Sequence, residues 1–316
     1  YTCGETIMES CNLTCNLNSN GTCFTIGAND ITIDGNGYSI TGDFGWNDYG
    51  IHADGRNNVT IKNFNIYNFA DGIRLEDSHN NIIINNTANE NHDTSNNGHG
   101  IHLRYSNNNK IINNTANNNT SEECLGIYLY HSDNNEISVN TAKYNKYGIS
   151  LYDSHYNDLT RNTANDNYCG TSSNSYGIRL YSSSNNALVN NTANDNYCDR
   201  DNGASYGIFL YNSGSNNLTN NTLVNNTDYG VYFASNSNNN NLSSNLICGN
   251  GWDINDSDDN AGDNNTCDTV FGWNDTGARG CSYSCVPALC GCDTGTRNYT
   301  CGEIAMESCV TNCNLN

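Results

Sequence analysis

Behind a recurring glycine, apolar and polar residues alternate over short runs along most of this chain. From Gly72 the residues read G-I-R-L-E-D-S-H-N-N-I-I-I-N-N-T-A-N-E-N. The pattern G-I-x-L-x-x-S-x-x-N-x-I-x-x-N-T-A-x-x-N returns from Gly100, Gly126, Gly148, Gly177 and Gly207, with weaker copies from Gly50 and Gly230. Intervals of 22 to 30 residues between these glycines mark a solenoid. The pairs Ile73/Leu75, Ile101/Leu103, Ile127/Leu129, Ile149/Leu151, Ile178/Leu180 and Ile208/Leu210 have the period of a half-buried strand. Gly, Asn, Asp and Ser fill the spaces between and favour bends over helix. Leucine-rich repeats share this length but carry more leucines and usually a helical segment. Stacked coils would pair every strand in parallel, about 4.8 Å apart, and bury the aliphatic residues in one narrow core. The pattern predicts an all-β fold, a parallel β-helix of roughly ten coils near 50 Å long.

Asparagine keeps register with the apolar positions, which separates this chain from disordered Asn-rich sequence. Counted from each repeat glycine, offset nine holds Asn81, Asn109, Asn135, Asn157, Asn186 and Asn216. Offset fourteen holds Asn86, Asn114, Asn140, Asn162, Asn191 and Asn221, and offset nineteen holds Asn91, Asn119, Asn145, Asn167, Asn196 and Asn226. Ser78, Ser106, Ser132, Ser154, Ser183 and Ser213 form a similar column. An amide has donors and an acceptor, so stacked copies are expected to hydrogen-bond along the column at the strand spacing.

On these residues the chain resembles the right-handed parallel β-helix proteins of the carbohydrate-binding and sugar-hydrolase type, especially repeat-rich surface proteins of archaea. The resemblance covers about residues 23–255 and an N-terminal stretch that opens T-C-G-E-T and continues to Asn29–Ile40. It implies a right-handed coil and leaves function open, because lyases, hydrolases, adhesins and structural proteins share the fold. Gly98-His99-Gly100 matches a triplet that polygalacturonases of this fold carry. The rest of the column of His99 reads Tyr49, Asp71, Leu125, Tyr147, Tyr176, Tyr206 and Tyr229, and the aspartate cluster and basic motif of those enzymes are not visible. His99 is read as merely filling the position before the repeat glycine.

Charge narrows the partners. With 12 basic against 33 acidic residues the net charge is −21, so there is no basic footprint for nucleic acid. No apolar run reaches the ~18 residues that a membrane-spanning helix needs. The chain starts on Tyr1 without a signal peptide and reads as mature or mid-chain material. Its 16 cysteines gather toward the two ends, a disulfide pattern that implies an oxidising compartment. Cys3, Cys11, Cys15 and Cys23 are expected to tie an N-terminal cap. Cys169 and Cys198 sit in matching Asn-Tyr-Cys loops one coil apart and are expected to bridge; Cys248–Cys267 is the expected closure of a C-terminal cap.

Sixteen N-x-S/T sequons point to a secreted glycoprotein: Asn12, Asn20, Asn58, Asn85, Asn113, Asn118, Asn119, Asn190, Asn217, Asn220, Asn225, Asn241, Asn255, Asn264, Asn274 and Asn298. Asn85, Asn113, Asn190 and Asn220 share offset thirteen, so they are expected along one outer ridge.

Candidate chemistry lies on the residues flanking Leu in each G-I-x-L-x. Early coils display His52, Asp54, Arg74, Glu76, His102 and Arg104 as a charged patch; later coils display a ladder of Tyr130, Tyr152, Tyr181 and Tyr211. Carboxylates on neighbouring coils suit acid–base hydrolysis of a glycoside, and Arg with His suits proton abstraction from a uronate. Cross-strand ion pairs Asp54–Arg74 and Glu76–Arg104 on a wet sheet are the simpler reading and the preferred one. The tyrosines suit stacking of pyranose rings, or burial against a neighbouring molecule. Asp256, Asp258 and Asn260 have the D-x-D-x-N spacing of a calcium loop. Ala261 takes the glycine place there and Cys267 the place of the closing glutamate, so a solvated acidic turn is preferred, and no other cofactor is expected.

Residues 1–40 read as a disulfide-tied cap with the first coil, 41–250 as coils and 251–298 as a Cys-rich C-terminal cap. Extra residues at 92–99, 118–125, 168–176 and 197–206 place the longer loops on one edge. Residues 299–316 repeat Tyr1–Asn18 at 13 of 18 positions, with Cys301, Cys309 and Cys313 each 298 residues after Cys3, Cys11 and Cys15. A second cap begun in register predicts a further module, or a lock onto the next subunit. One 298-residue period holds 13 cysteines, an odd number, so at least one stays free or bridges outward. The expected function is that of an extracellular structural surface glycoprotein, its modules joined end to end into a fibre or surface layer. A polysaccharide-binding or adhesin module is the alternative, and a polysaccharide lyase or glycoside hydrolase the third reading.

Overall fold

The computed structural model describes residues 1–92, 97–119, 123–169, 174–199 and 203–285. They form a parallel β-helix with three faces. One sheet holds 12 strands and a second 11; the third face carries groups of four and two short strands, joined by single bridges along a threonine column from Thr87 to Thr222. A typical coil runs Asp71–Glu76 on the first sheet, Ile82–Ile84 on the second and Thr87–Asn89 on the third face. Register sets equal repeat positions side by side, with Ile73 between Ile51 and Ile101, and Leu75 between Ala53 and Leu103.

The core is one file of aliphatic columns. Ile73, Leu75, Ile83 and Ala88 are fully buried, and the next coil repeats them as Ile101, Leu103, Ile111 and Ala116. Where the third face meets the first sheet there is no room for a side chain. A Cβ on Gly72 would lie 2.7 Å from the Gly100 carbonyl oxygen and 3.0 Å from the Ala88 Cβ, which accounts for the repeat glycine.

Asparagine columns close the corners. Each bend carries a residue at positive φ, such as Asn80 (58°), Asn85 (57°) and Glu90 (57°), a backbone state that Asn tolerates better than most. The residue after each bend donates its backbone N–H to the amide oxygen of the next coil's asparagine. Asn81 bonds Asn109 Oδ1 at 2.8 Å, Asn86 bonds Asn114 Oδ1 at 2.9 Å, and Asn91 bonds Asn119 Oδ1 at 2.9 Å. Amide also bonds amide, as Asn86 Nδ2 to Asn114 Oδ1 at 3.1 Å, and Nδ2 reaches back to the Ile61 carbonyl at 3.0 Å. The columns thus satisfy buried backbone groups that the bends withdraw from the ladders. Serine works alike: Ser106 Oγ accepts the Ser78 N–H at 3.1 Å and donates to the Arg104 carbonyl at 2.8 Å.

Strands of the solenoid run on into both ends of the described chain. Residues 1–23 are a full rung of the same solenoid, with Glu5–Ile7, Cys11–Asn12 and Leu17–Asn18 as the terminal strands of the three sheets. At the other end Trp252–Asp256, Ala261–Asp263 and Val270–Phe271 continue the first two sheets. Cys3–Cys23 and Cys169–Cys198 bridge neighbouring rungs, with Cα atoms 4.1 and 5.1 Å apart. Cys11 and Cys15 are free thiols rather than bridge members. Cys11 stands in register with the core residue Ile33, so no cysteine faces it, and Cys15 is exposed.

The expected Cys248–Cys267 bond is replaced by Cys248–Cys285 and Cys267–Cys281. Leu246 bridges Thr266, which puts Cys267 beside the inward-facing Ile247 and in the core, whereas Cys248, one residue on, points to the opposite face. Residues 286–316 lie outside the described residues, and with them the second cap copy and Asn298.

Candidate functional site

Three neighbouring strands, Tyr49–Asp54, Asp71–Glu76 and Asn97–Arg104, bring polar side chains together on the first sheet. Their register gives the rows Tyr49/Asp71/His99, His52/Arg74/His102 and Asp54/Glu76/Arg104. Arg74 Nη1 donates to Asp71 Oδ2 at 2.9 Å, and His102 Nδ1 lies 3.0 Å from the same oxygen. Arg74 Nε lies 3.3 Å from Glu76 Oε2, while Arg104 Nη1 pairs with Glu76 Oε1. The Glu76–Arg104 pair therefore forms. Asp54–Arg74 does not: Asp54 is exposed, and Arg74 turns to Asp71, which is 4% exposed and as a buried carboxylate needs a partner. His102 is 7% exposed and stacks on Tyr128 at 4.9 Å, so the sheet is far drier here than its charges suggest.

Burial alone would raise the Asp71 carboxyl. Facing His102, with its hydrogen bond, and then His99 and Arg74 outweigh that and hold it well below the usual carboxylate range. His99 is pushed down to about 3, first by burial and further by His102 and Arg74, against the opposing pull of Asp71. Its Nδ1 accepts the Leu125 N–H at 3.3 Å. Asp71 and His99 are the members that sequence reasoning left out of the site. The signal was present as the one carboxylate and the one histidine in an otherwise mostly tyrosine column. General acid–base work needs a group that can exchange its proton with a ligand. Asp71 is instead enclosed and held ionised, and Glu76 is shared between two guanidinium groups.

Later coils carry aromatic stacks. Tyr130–Tyr152, Tyr152–Tyr181 and Tyr181–Tyr211 lie 5.4, 4.9 and 4.8 Å apart, tilted by 23°, 6° and 19°. These rings lie face to face with one another, so the faces needed to stack a pyranose are occupied along the interior of the ladder.

The calcium candidates are spent on the columns. Asn260 Oδ1 accepts the Asn240 N–H at 2.8 Å, Asp258 Oδ2 accepts the Ser237 N–H at 2.8 Å, and Asp256 Oδ1 accepts the Asp258 N–H at 2.9 Å. Asn260 extends an asparagine column and Asp258 extends the serine column, which explains their spacing without a cation. Of the sequons, Asn119 is fully buried with Nδ2 bonded to Asn145 Oδ1 at 3.1 Å, so it offers no acceptor for a glycan. Asn255 is half-buried, and the other described sequon asparagines are exposed, including the ridge Asn85, Asn113, Asn190 and Asn220.

Residues 5–175 match the family model described as periplasmic copper-binding protein (NosD), and residues 168–247 match one described as right handed beta helix region. Among the described residues, Asp71, His99 and His102 group donor atoms within 4.8 Å of one another. They do not fit copper. Arg74 Nη1 already occupies the approach, 2.9 Å from Asp71 Oδ2 and 3.2 Å from His102 Nδ1, and a second cation there would meet its charge directly. The cluster also holds no thiolate or thioether for cuprous ion.

No curated protein matches the sequence. Solved structures match the fold. A point mutant of the periplasmic alginate epimerase AlgG aligns with TM-score 0.65 at 17% identity, over 85% of this chain and 71% of the other. DFA-IIIase from Arthrobacter chlorophenolicus, without its lid, aligns with TM-score 0.61 at 13% identity over 86% and 74%. PfbA, a surface adhesin of Streptococcus pneumoniae, aligns with TM-score 0.51 at 16% identity over 82% and 76%. Carbohydrate-acting proteins and an adhesin thus share this architecture, and at these identities the likeness speaks for fold alone. The match over residues 5–175, together with three-faced coils that repeat from end to end of the described chain, shows that the protein belongs to the NosD family, a right-handed parallel β-helix.

Proposed function

We propose that this chain is a module of an extracellular structural glycoprotein, built by joining β-helices end to end. One observation carries the reading: Tyr1–Asn18 is itself a rung, supplying the terminal strand of each of the three sheets. Residues 299–316 repeat that sequence with its first three cysteines in place, and the reading takes the repeat as the start of a further rung. Parallel strand edges left open recruit other strands, and the natural partner for the open edge at Glu5–Ile7 is a rung of like sequence. Head-to-tail contacts of this kind do not close and grow into filaments.

Disulfides between rungs suit an oxidising compartment outside the cytoplasm. Exposed sequons along one ridge support covalent glycans on the flank, away from the joining ends. Within the charged grid, Arg74 neutralises Asp71 and Arg104 neutralises Glu76. Deleting residues 299–316 tests the reading: the full chain is expected to associate in a concentration-dependent way, and the truncated chain to stay monomeric in light scattering. Equal behaviour of the two would overturn it.

A further inference from the structure

One cation on the outer face of the first sheet lacks an anion. Arg179, in strand Asn174–Tyr181, stands beside Ser150 of strand Tyr147–Tyr152. Its Cζ lies 5.2 Å from the ring centre of Tyr147, 5.7 Å from that of Tyr176 and 4.9 Å from that of Tyr181. Among the described residues it forms no ion pair, and its Nε is buried without a hydrogen-bond partner. Ser150 is 0% exposed, and its Oγ is buried without a partner too. Arg74 and Arg104, by contrast, each hold a carboxylate. Arg56 also meets no carboxylate among the described residues, but its Nε bonds the Ile26 carbonyl at 3.2 Å, whereas the Arg179 Nε is buried with no such partner.

The Tyr176 phenol does not supply the missing charge. Burial first, and then Tyr147, push the Tyr176 phenol up to about 12 against the pull of Arg179, so it stays neutral at physiological pH. The aromatic packing also changes at this point. Tyr176, Tyr206 and Tyr229 stack with tilts of 12° and 9°, whereas Tyr147 stands at 75° to Tyr176. The stack therefore breaks beside Arg179, and two polar groups lie there without the partners that buried groups otherwise find.

We propose that Arg179 and Ser150, walled by Tyr147, Tyr176 and Tyr181, bind an oxyanion carried on a sugar ring, either a uronate carboxylate or a sulfate ester. A guanidinium offers paired N–H donors to such a group, a hydroxyl adds a further donor, and tyrosine hydroxyls suit the hydroxyls of a sugar ring. The site lies on the flank of the rod and does not depend on end-to-end joining.

Calorimetric titration of the full chain with an oligouronate, a sulfated oligosaccharide and a neutral oligosaccharide of equal length tests this. The expected result is saturable binding of an acidic probe, roughly tenfold tighter than the neutral one. Preference between the two acidic probes identifies the natural group. Arg179→Gln is expected to weaken binding by roughly tenfold or more, while Arg161→Gln, at an exposed arginine, leaves it unchanged. Arg179→Lys keeps the charge and guards against loss of fold; it is expected to bind more weakly than the native chain and more tightly than Arg179→Gln. Failure of both acidic probes to bind, equal affinity for the neutral probe, or native affinity in Arg179→Gln would each overturn the proposal.

Discussion

Asn162 stands in the middle of a buried column and serves four groups at once. Its Oδ1 accepts the Asn140 backbone N–H at 2.9 Å and the Asn140 amide at 3.0 Å. Its Nδ2 donates to the Ile137 carbonyl at 2.7 Å and to Asn191 Oδ1 at 3.0 Å. The residue is 1% exposed. Asn162→Ala therefore orphans one backbone N–H and one backbone C=O in a space closed to solvent, and breaks two amide–amide bonds. Each orphaned group costs ~1–3 kcal/mol and each lost neutral bond ~1 kcal/mol. Even if a water enters the vacated space and recovers part of this, the expected loss is about 3 kcal/mol. The control is Asn217→Ala, an exposed strand residue whose side-chain oxygen accepts from Thr219 Oγ1 and Asn241 Nδ2 at the surface, expected within about 0.5 kcal/mol of the native chain. Guanidinium unfolding followed by circular dichroism gives the difference, with amide exchange in the adjoining coils showing whether the loss is local or shared. A difference below about 1 kcal/mol between the two variants would refute the view that the columns hold the corners.

Stability should fall with acid because of His99. Its folded value, about 3, lies below the ordinary ~6.5, so between those values the unfolded chain takes up a proton that the folded one refuses. His99→Gln is expected to flatten the fall in midpoint between about pH 6.5 and pH 3; an unchanged profile would contradict it. The depressed Asp71 acts in the same direction at lower pH, its contribution being complete above the ordinary carboxylate value and lost as pH falls toward the folded one. Chelator is expected to leave the melting temperature unchanged, since Asp256, Asp258 and Asn260 spend oxygens on hydrogen bonds; a fall reversed by added calcium would restore the cation reading. Cys169→Ser opens a loop of 29 residues between adjacent rungs and is expected to cost about 3 kcal/mol, a loss absent when both chains are compared under reduction.

Much of this fold was legible because a solenoid stacks each repeat position on itself. Ile73, Leu75, Asn81 and Asn86 announce their columns by recurring at fixed offsets, and Cys169–Cys198 follows from the same register. What stayed hidden depended on side-chain direction. Asp71 and Arg74 share a strand, yet only the rotamer that turns Arg74 back along it reveals the buried pair, so the sequence suggested Asp54 instead. Near the C-terminal end the repeat glycine disappears, and the register can no longer be counted. Asn260 and Asp258 then read as a solvated acidic turn with the spacing of a cation loop rather than as column members. A one-residue offset turned Cys248 and Cys267 to opposite faces. The tyrosine ladder was visible in sequence, but not that its rings would lie face to face and so withhold those faces from a ligand.

Imaging the native chain tests the central claim most directly. Twelve first-sheet strands at about 4.8 Å give each module an axial length of at least about 58 Å. Electron micrographs under non-reducing conditions are expected to show rods several modules long with that minimum spacing, and residues 299–316 protected from amide exchange within them. Isolated particles near 34.5 kDa with residues 299–316 exchanging freely would contradict end-to-end joining.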